Sequence, residues 1–479
     1  MKKLLTLLLS VMMLISLVVF PTAAETDPLA DYMKVVGYQT TVKPTGTSGN
    51  DKLYSFRIVA AHTNLDDYWS FGYNVKITYT DSDGVKQEKT LTNPITSNRV
   101  YKSLSVSGGD AITAEEFEAD YISGVEIKNI PASAGDLTVT VTPFVTTHDQ
   151  RITGNAVTYT HKLPESITTM TFNIRNWEQK ANNHLERLIL TIKEANYPDV
   201  IGFQEMGTSP DQADWDWCAK IMADTDIAAC YAYCGISRGD TTGESCIIFY
   251  KKDKFELIET QTRWLYCEHG VTCTNSNCTG KTVAGCFDGT VEGIFKDTAS
   301  ADKPPKVGDT QVYFRILTYV KLKRISDNKE FAFINTHLDT ADFNPGSTYT
   351  TGQRQNKQME YILNFAKTLT DAGCPVILTG DFNATTGSTP LTLIATAGFT
   401  RAQTAANHTV GAEVPSNSQY TYCGNNTTVP CKDIDHVFVK APNDCFVRQY
   451  TFCDQPITIG TSTAYASDHI PRIAELVIW

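Results

Sequence analysis

Around residues His161 to Ser166 the chain changes its hydrophobic rhythm. Before that point apolar and polar residues alternate in short runs, Tyr54 to Ile58, Val75 to Tyr79, Val125 to Ile127 and Leu137 to Val141, punctuated by Pro44-Thr45-Gly46, Asp81-Ser82-Asp83-Gly84 and Ser107-Gly108-Gly109. A period of two with turn residues between runs predicts an all-β sandwich. After that point both periods occur. Met170, Phe172 and Ile174 alternate as in a strand, Leu185, Leu188, Ile189 and Ile192 fall on one helical face, and Val200-Ile201-Gly202-Phe203 reads as a short buried strand. The pattern recurs in Phe331 to Thr336 and Val376 to Thr379, with a helical stripe of Met359, Ile362, Leu363 and Ala366 between them. Helices interleaved with apolar strands predict a layered α/β architecture.

A chain of 479 residues is too long for one ordinary core, which suggests two domains behind a processed leader. Lys2 and Lys3 precede an uncharged, mostly apolar run from Leu4 to Phe20, then Pro21, Thr22, Ala23 and Ala24. This reads as a secretory signal peptide, residues 1–24. The run is longer than a usual signal core, so an uncleaved membrane anchor is the alternative. The expected organisation is an all-β accessory domain at 25–165 and a catalytic domain at 166–479, with no transmembrane segment after signal cleavage. The accessory domain carries no cluster of His, Cys or carboxylates at catalytic spacing; it is expected to contact a surface, glycan or partner, or to act as a spacer. Removing the leader takes away two lysines, so the formal charge of -12 becomes -14. Such a chain is no general binder of polyanions, although a divalent cation can reverse the field locally.

Polar residues in the second part stand where apolar strands end, which places them at the carboxyl edge of a rigid scaffold. Seven segments do this: Thr171-Phe172-Asn173-Ile174-Arg175, Val200 to Glu205, Thr242-Gly243-Glu244-Ser245, Ile334-Asn335-Thr336-His337, Leu378 to Ala384, Asp433 to Phe438, and Ser467-Asp468-His469-Ile470-Pro471. Taken singly, each has an ordinary explanation: a turn cap, a solvated strand end, a core histidine. Their order and content together resemble the endonuclease/exonuclease/phosphatase superfamily, over about 310 residues from Thr168 to the C-terminus.

The resemblance implies a four-layer α-β-β-α sandwich and a metal-dependent phosphoester hydrolase. It makes Glu205 the first metal ligand, with Asn173 supplying a neutral oxygen and Asp468 holding a second ion or completing the first. Hard oxygen donors suit Mg2+, with Ca2+ or Mn2+ as alternatives. Asp381 and Asn383, two apart on an extended strand end, would face one side, one orienting the attacking water and the other meeting a phosphate oxygen. Asp435 matches the family's partner for His469, His337 would hydrogen-bond or protonate the phosphoryl group, and Glu244 corresponds to a carboxylate paired with His337. Arg175, Arg238, Arg315 and Arg354 are candidate substrate contacts, against a solvated surface role for each.

Departures narrow the substrate. The arginines of the inositol-phosphatase pattern are missing around Ala384-Thr385-Thr386 and Lys432-Asp433-Ile434-Asp435, Met206-Gly207-Thr208 lacks the arginine that pancreatic-type deoxyribonucleases place after Gln-Glu, no dense Trp/Phe hairpin suits a sphingomyelinase, and His436 replaces a common tyrosine. The nearest resemblance is to secreted bacterial members of unassigned substrate. A nuclease is the first expectation, a phosphatase on small or sugar phosphomonoesters the alternative, and a surface-binding protein with an inactive hydrolase domain the reading from another class.

All 13 cysteines lie between Cys218 and Cys453. Outside the cell disulfides are expected, in particular within Cys267, Cys273, Cys278 and Cys286 of a Cys-rich insertion at about 265–311, and as local loops Cys423 with Cys431 and Cys445 with Cys453. The spacing in the insertion does not match paired zinc knuckles, and zinc remains the alternative there.

Overall fold

The computed structural model describes residues 27–40, 47–48, 51–80, 85–91, 103–104, 112–113, 121–131, 137–161, 165–175, 183–208, 216–237, 243–265, 294–295, 315–340, 351–406, 408–410, 432–441 and 445–478. The leader, Arg238, the Arg354 side chain, the bulk of the 265–311 segment and Cys423 with Cys431 lie outside the described residues. The chain divides into two compact units, Met1–Thr41 with Leu53–Leu163, and Val42–Lys52 with Pro164–Trp479.

The first unit is built of antiparallel strands, as its period-two pattern predicts. Asp51–His62 pairs with Met33–Thr40 and Tyr121–Pro131, and Leu137–Thr146 pairs with Ser70–Thr80, Arg151–Thr153 and Val157–His161. Along Leu137–Thr146 buried and half-buried residues alternate at every step, the signature of a strand with one face on a core.

The second unit stacks two sheets of seven described strands each. In the first the order is Tyr231–Cys234, Gly243–Lys251, Val200–Thr208, Ile167–Asn173, Arg472–Ile478, Cys445–Phe452, His408–Val410. The second runs Ile294–Phe295, Phe255–Trp264, Ile316–Arg324, Glu330–His337, Val376–Asp381, Asp435–Lys440, Thr400–Arg401. Their facing sides share one core in which Val200, Ile248 and Leu476 meet Val320, Phe333, Ile377 and Val437. On the outside of the first sheet, Leu188 and Ile192 of helix His184–Glu194 pack on Phe172, Ile201 and Phe203; on the second, Met359, Ile362 and Ala366 of helix Thr351–Asp371 pack on Ile334, Val376 and Leu378. The result is the α-β-β-α layering expected. Strands such as Val376–Asp381 are buried at every position, because a central strand with covered faces reads as a continuous apolar run.

Two glycines permit close approaches near the site, Gly202 between the two sheets and Gly380 between neighbouring strands of the second sheet. A Cβ on Gly202 would lie 2.7 Å from the Asn335 and Thr379 side-chain oxygens of the opposite sheet, and one on Gly380, where φ is +155°, would lie 2.2 Å from Thr336 O.

One expected loop is overturned. Cys445 opens the Cys445–Phe452 strand and Cys453 follows it, so the two sit at opposite ends of an extended segment and are not joined to each other. Eight residues of strand span roughly 26 Å at about 3.3 Å each, against about 4 to 7 Å between the Cα atoms of a disulfide.

Candidate active site

Asn173 ends the Ile167–Asn173 strand and pairs in register with Gln204 of the parallel neighbour. The next residue, Glu205, breaks the strand geometry: its φ is +56°, and the pairing with Gly243–Lys251 slips between Phe203 and Met206. A bulge re-aims a side chain. Here it sets Glu205 beside Asn173, whose Nδ2 donates to Glu205 Oε1 at 3.0 Å and to Asp381 Oδ2 at 3.0 Å. The Asn173 oxygen expected to serve as a ligand instead accepts from the Arg175 backbone N–H at 3.1 Å.

In the second sheet His337 ends its strand in register with Asp381, and Asp381 is in register with Asp435. The expectation that the motifs lie at carboxyl ends holds for Asn173, His337 and Asp381. It fails for Glu244 and Asp435, which open their strands; antiparallel pairing brings opposite ends of neighbouring strands to one edge.

Three groups converge on Asp381 Oδ2. Besides Asn173, His337 Nε2 lies 3.5 Å and His469 Nε2 3.7 Å away, and the other ring nitrogen of His469 is 2.8 Å from Asp435 Oδ2. Burial pushes the His469 ring down, but Asp435 and then Asp381 more than offset it and hold the ring at about 10, an imidazolium near neutral pH. Burial, joined by repulsion from Asp435, pushes Asp381 up to about 7 against the pull of His469. Burial and then Glu244 raise Glu205 as well.

Asn383 departs from the expected geometry. Its φ is +47°, so the chain turns after Asp381 and the two side chains are not alternate positions of one strand. Asp381 Oδ1 accepts from the Asn383 N–H at 2.9 Å, while Asn383 Nδ2 donates to Leu338 O at 3.0 Å. A short turn closed on its own aspartate replaces the strand end.

Glu205, Glu244, Arg315 and His337 line one small cleft. Arg315 is 7 % exposed, with Nε 3.9 Å from Asp339 Oδ1. Arg175, with φ +51°, is buried and pairs with Asp468 Oδ2 at 3.4 Å, so its guanidinium is turned to a carboxylate of the site.

Asp381, Asp435 and His469 present ligand atoms within 4.8 Å of one another, a group that could hold a metal ion. Glu205 meets a second test: its Oε2 is buried with no hydrogen-bond partner, which in a low-dielectric setting is costly unless a cation takes it.

Motif reasoning overlooked the layer beneath. Gln204 Nε2 donates to Thr171 Oγ1, Gly202 O and, at 2.6 Å, Asn335 Oδ1; Asn335 Nδ2 donates to Phe203 O at 2.8 Å and Ile247 O at 3.1 Å. This polar seam joins the two sheets directly under Glu205. Its signal in the sequence is an amide inside an apolar strand, at Gln204 and at Asn335.

Two stacked sheets between helices, with a buried carboxylate flanked by two imidazoles at their common edge, define a metal-dependent phosphoester hydrolase. Residues 170–469 match the model of the Endonuclease/Exonuclease/phosphatase family, and the chain belongs to that family. Among solved structures it is similar to the endonuclease/exonuclease/phosphatase from Bacteroides vulgatus (24% identity, TM-score 0.45, 65% of this chain and 98% of that one). It is also similar to the Bacteroides thetaiotaomicron mannosyl-6-phosphatase (21%, 0.46, 65% and 100%) and to D. rerio TDP2 complexed with single-strand DNA product (14%, 0.41, 65% and 98%). No curated protein sequence matches the chain. Among the described residues no helix is long and apolar enough to cross a membrane.

Proposed function

We propose that the chain is a secreted phosphodiesterase acting on nucleic acid. The observation that carries this reading is the charge around Asp381. Glu205, Glu244, Asp381, Asp435 and Asp468 are set against Arg175, Arg315 and the His469 imidazolium, and Arg175 is already paired with Asp468. A phosphomonoester brings about -1.5 to -2 charges at pH 7 and a diester one, so a site rich in carboxylates repels the diester less. Export is supported by the leader at 1–24, and the N-terminal β unit would supply a surface or glycan contact.

Glu205, with Asp468 as a further carboxylate, would hold Mg2+, or Ca2+ or Mn2+, as its partnerless oxygen suits a hard cation, while Asn173 orients Glu205 through its Nδ2 donor. When bound, such an ion neutralises charge that builds on the phosphate oxygens. Asp381, raised to about 7, takes the proton of the attacking water while Asn173 and the Asn383 N–H hold its carboxylate in place. The imidazolium of His469, fixed by Asp435, donates to the phosphoryl oxygen; as the water oxygen bonds to phosphorus the ester P–O bond breaks and the departing oxygen takes the proton that Asp381 accepted, with His337 beside Asp381 to hydrogen-bond or protonate the phosphoryl group. Arg315 is the candidate contact to the substrate's phosphate.

The second reading, a phosphatase on small phosphomonoesters, is favoured by the overall charge of -12, which opposes approach of a polyanion. Purified protein lacking residues 1–24 should be tested on plasmid DNA, RNA and a panel of phosphomonoesters, with magnesium, with calcium and with chelator. Chelator-sensitive cutting of polymer supports the proposal. Phosphate release from monoesters alone replaces it with the second reading.

A further inference from the structure

His436 and Arg401 lie outside the groups that meet Asp381, yet both are ordered by an unusually specific set of bonds. His436 is 1 % exposed. Its Nδ1 is 3.2 Å from an Arg401 guanidinium nitrogen and its Nε2 3.0 Å from Ala384 O. A guanidinium only donates and a carbonyl only accepts. The ring must therefore accept at Nδ1 and donate from Nε2, which fixes the neutral Nε2–H tautomer.

Arg401 has two further partners, Thr386 Oγ1 at 2.8 Å and the carboxylate of Asp433. The two side chains are thus joined to each other and hold three further points, Ala384, Thr386 and Asp433. Ala384 and Thr386 follow the Asp381–Asn383 turn by one and three residues, and Asp433 and His436 flank Asp435 on either side. We propose that Arg401 and His436 are positioning residues that lock the Asp381–Asn383 turn to the Asp435 segment, so that Asp381 and the Asp435–His469 pair keep their separation. Beneath them Arg472, fully buried, adds a second cation acting on Asp433 and Asp435. This inference rests on the phosphoesterase chemistry of the site and not on its preference for diesters.

The test uses His436→Asn, which keeps an acceptor near the Nδ1 position, His436→Gln, which keeps a donor near the Nε2 position, Arg401→Lys, and the double variant Arg401→Lys/His436→Gln. Melting temperature, kcat and KM are measured with magnesium on bis-p-nitrophenyl phosphate and on p-nitrophenyl phosphate. Each single variant should lose about ten- to hundred-fold in kcat, as supporting bonds do, with KM nearly unchanged. The double variant should lose little more than the worse single, because the two act as one unit. Wild-type kcat in both His436 variants, or a fall in melting temperature with no fall in kcat, would overturn the proposal. A readout free of activity accompanies it: long-range 15N–1H correlation of the histidine rings in the wild-type protein, assigned by the signal lost in His436→Gln. A neutral Nε2–H ring is expected at pH 7; a charged ring or an Nδ1–H ring would refute it.

Discussion

Asn335 offers a measure of how much the polar seam under the site contributes. It is fully buried, accepts from Gln204 through Oδ1 and donates through Nδ2 to Phe203 O and Ile247 O. Asn335→Ala leaves those two carbonyls without that donor and removes one acceptor from Gln204. At roughly 1–3 kcal/mol for each buried group left unsatisfied, plus a small cavity, the loss should be about 3–6 kcal/mol. Asn335→Asp is the sharper probe. It keeps the shape and the acceptor toward Gln204, but it cannot donate to either carbonyl and it buries a charge. Aspartate should therefore destabilise at least as much as alanine, although it deletes no atoms from the core. Urea denaturation followed by fluorescence reads both. The first carbonyl belongs to Phe203, two residues before Glu205, so kcat should fall along with stability. An Asn335→Asp protein within about 1 kcal/mol of wild type would show that the seam does not depend on its donors, and would refute the account.

The parts of the fold that were legible in the sequence are those where burial imposes a simple period. The helical stripe at Met359, Ile362 and Ala366 and the apolar run at Val376 mark elements buried as expected. The site was legible in its residue types because carboxylates, imidazoles and amides seldom interrupt such runs without cause. What escaped is what depends on chain direction or on a partner from elsewhere. Glu244 and Asp435 sit at strand starts because their strands run antiparallel to their neighbours, and local pattern does not encode direction. The positive φ of Glu205 is not written in its residue type, since it is neither glycine nor asparagine. Arg401 lies in no motif, and only the folded chain shows it reaching Asp433 and His436.

Asp381→Asn should leave the melting temperature unchanged or raise it, because it removes a carboxylate that burial and Asp435 already disfavour, while activity falls about 10²- to 10⁴-fold as expected for loss of a general base; a fall in stability with activity kept would contradict both parts. Tryptic mapping of the unreduced protein should show no peptide pair joining Cys445 to Cys453, which fall in separate peptides divided at Arg448, whereas such a linked pair would contradict the strand geometry. The first unit should respond to acid through one buried histidine. His62 is fully buried, 3.1 Å from Tyr68 OH and tilted against the Phe71 ring, and burial pushes it down from 6.5 to about 3. Its folded pKa lies below its unfolded one, so between them the unfolded chain binds the extra proton. Its contribution is complete above about pH 6.5, is lost progressively as pH falls toward 3, and is level below that. A shift of this size corresponds to about 5 kcal/mol in total, or about 1.4 kcal/mol per pH unit within the window. His62→Gln should be less stable at pH 7 but lose stability less steeply between pH 6 and pH 4, because titrating carboxylates elsewhere act on both proteins alike. Denaturation curves across that range compare the two slopes, and parallel slopes would mean that His62 does not titrate on unfolding.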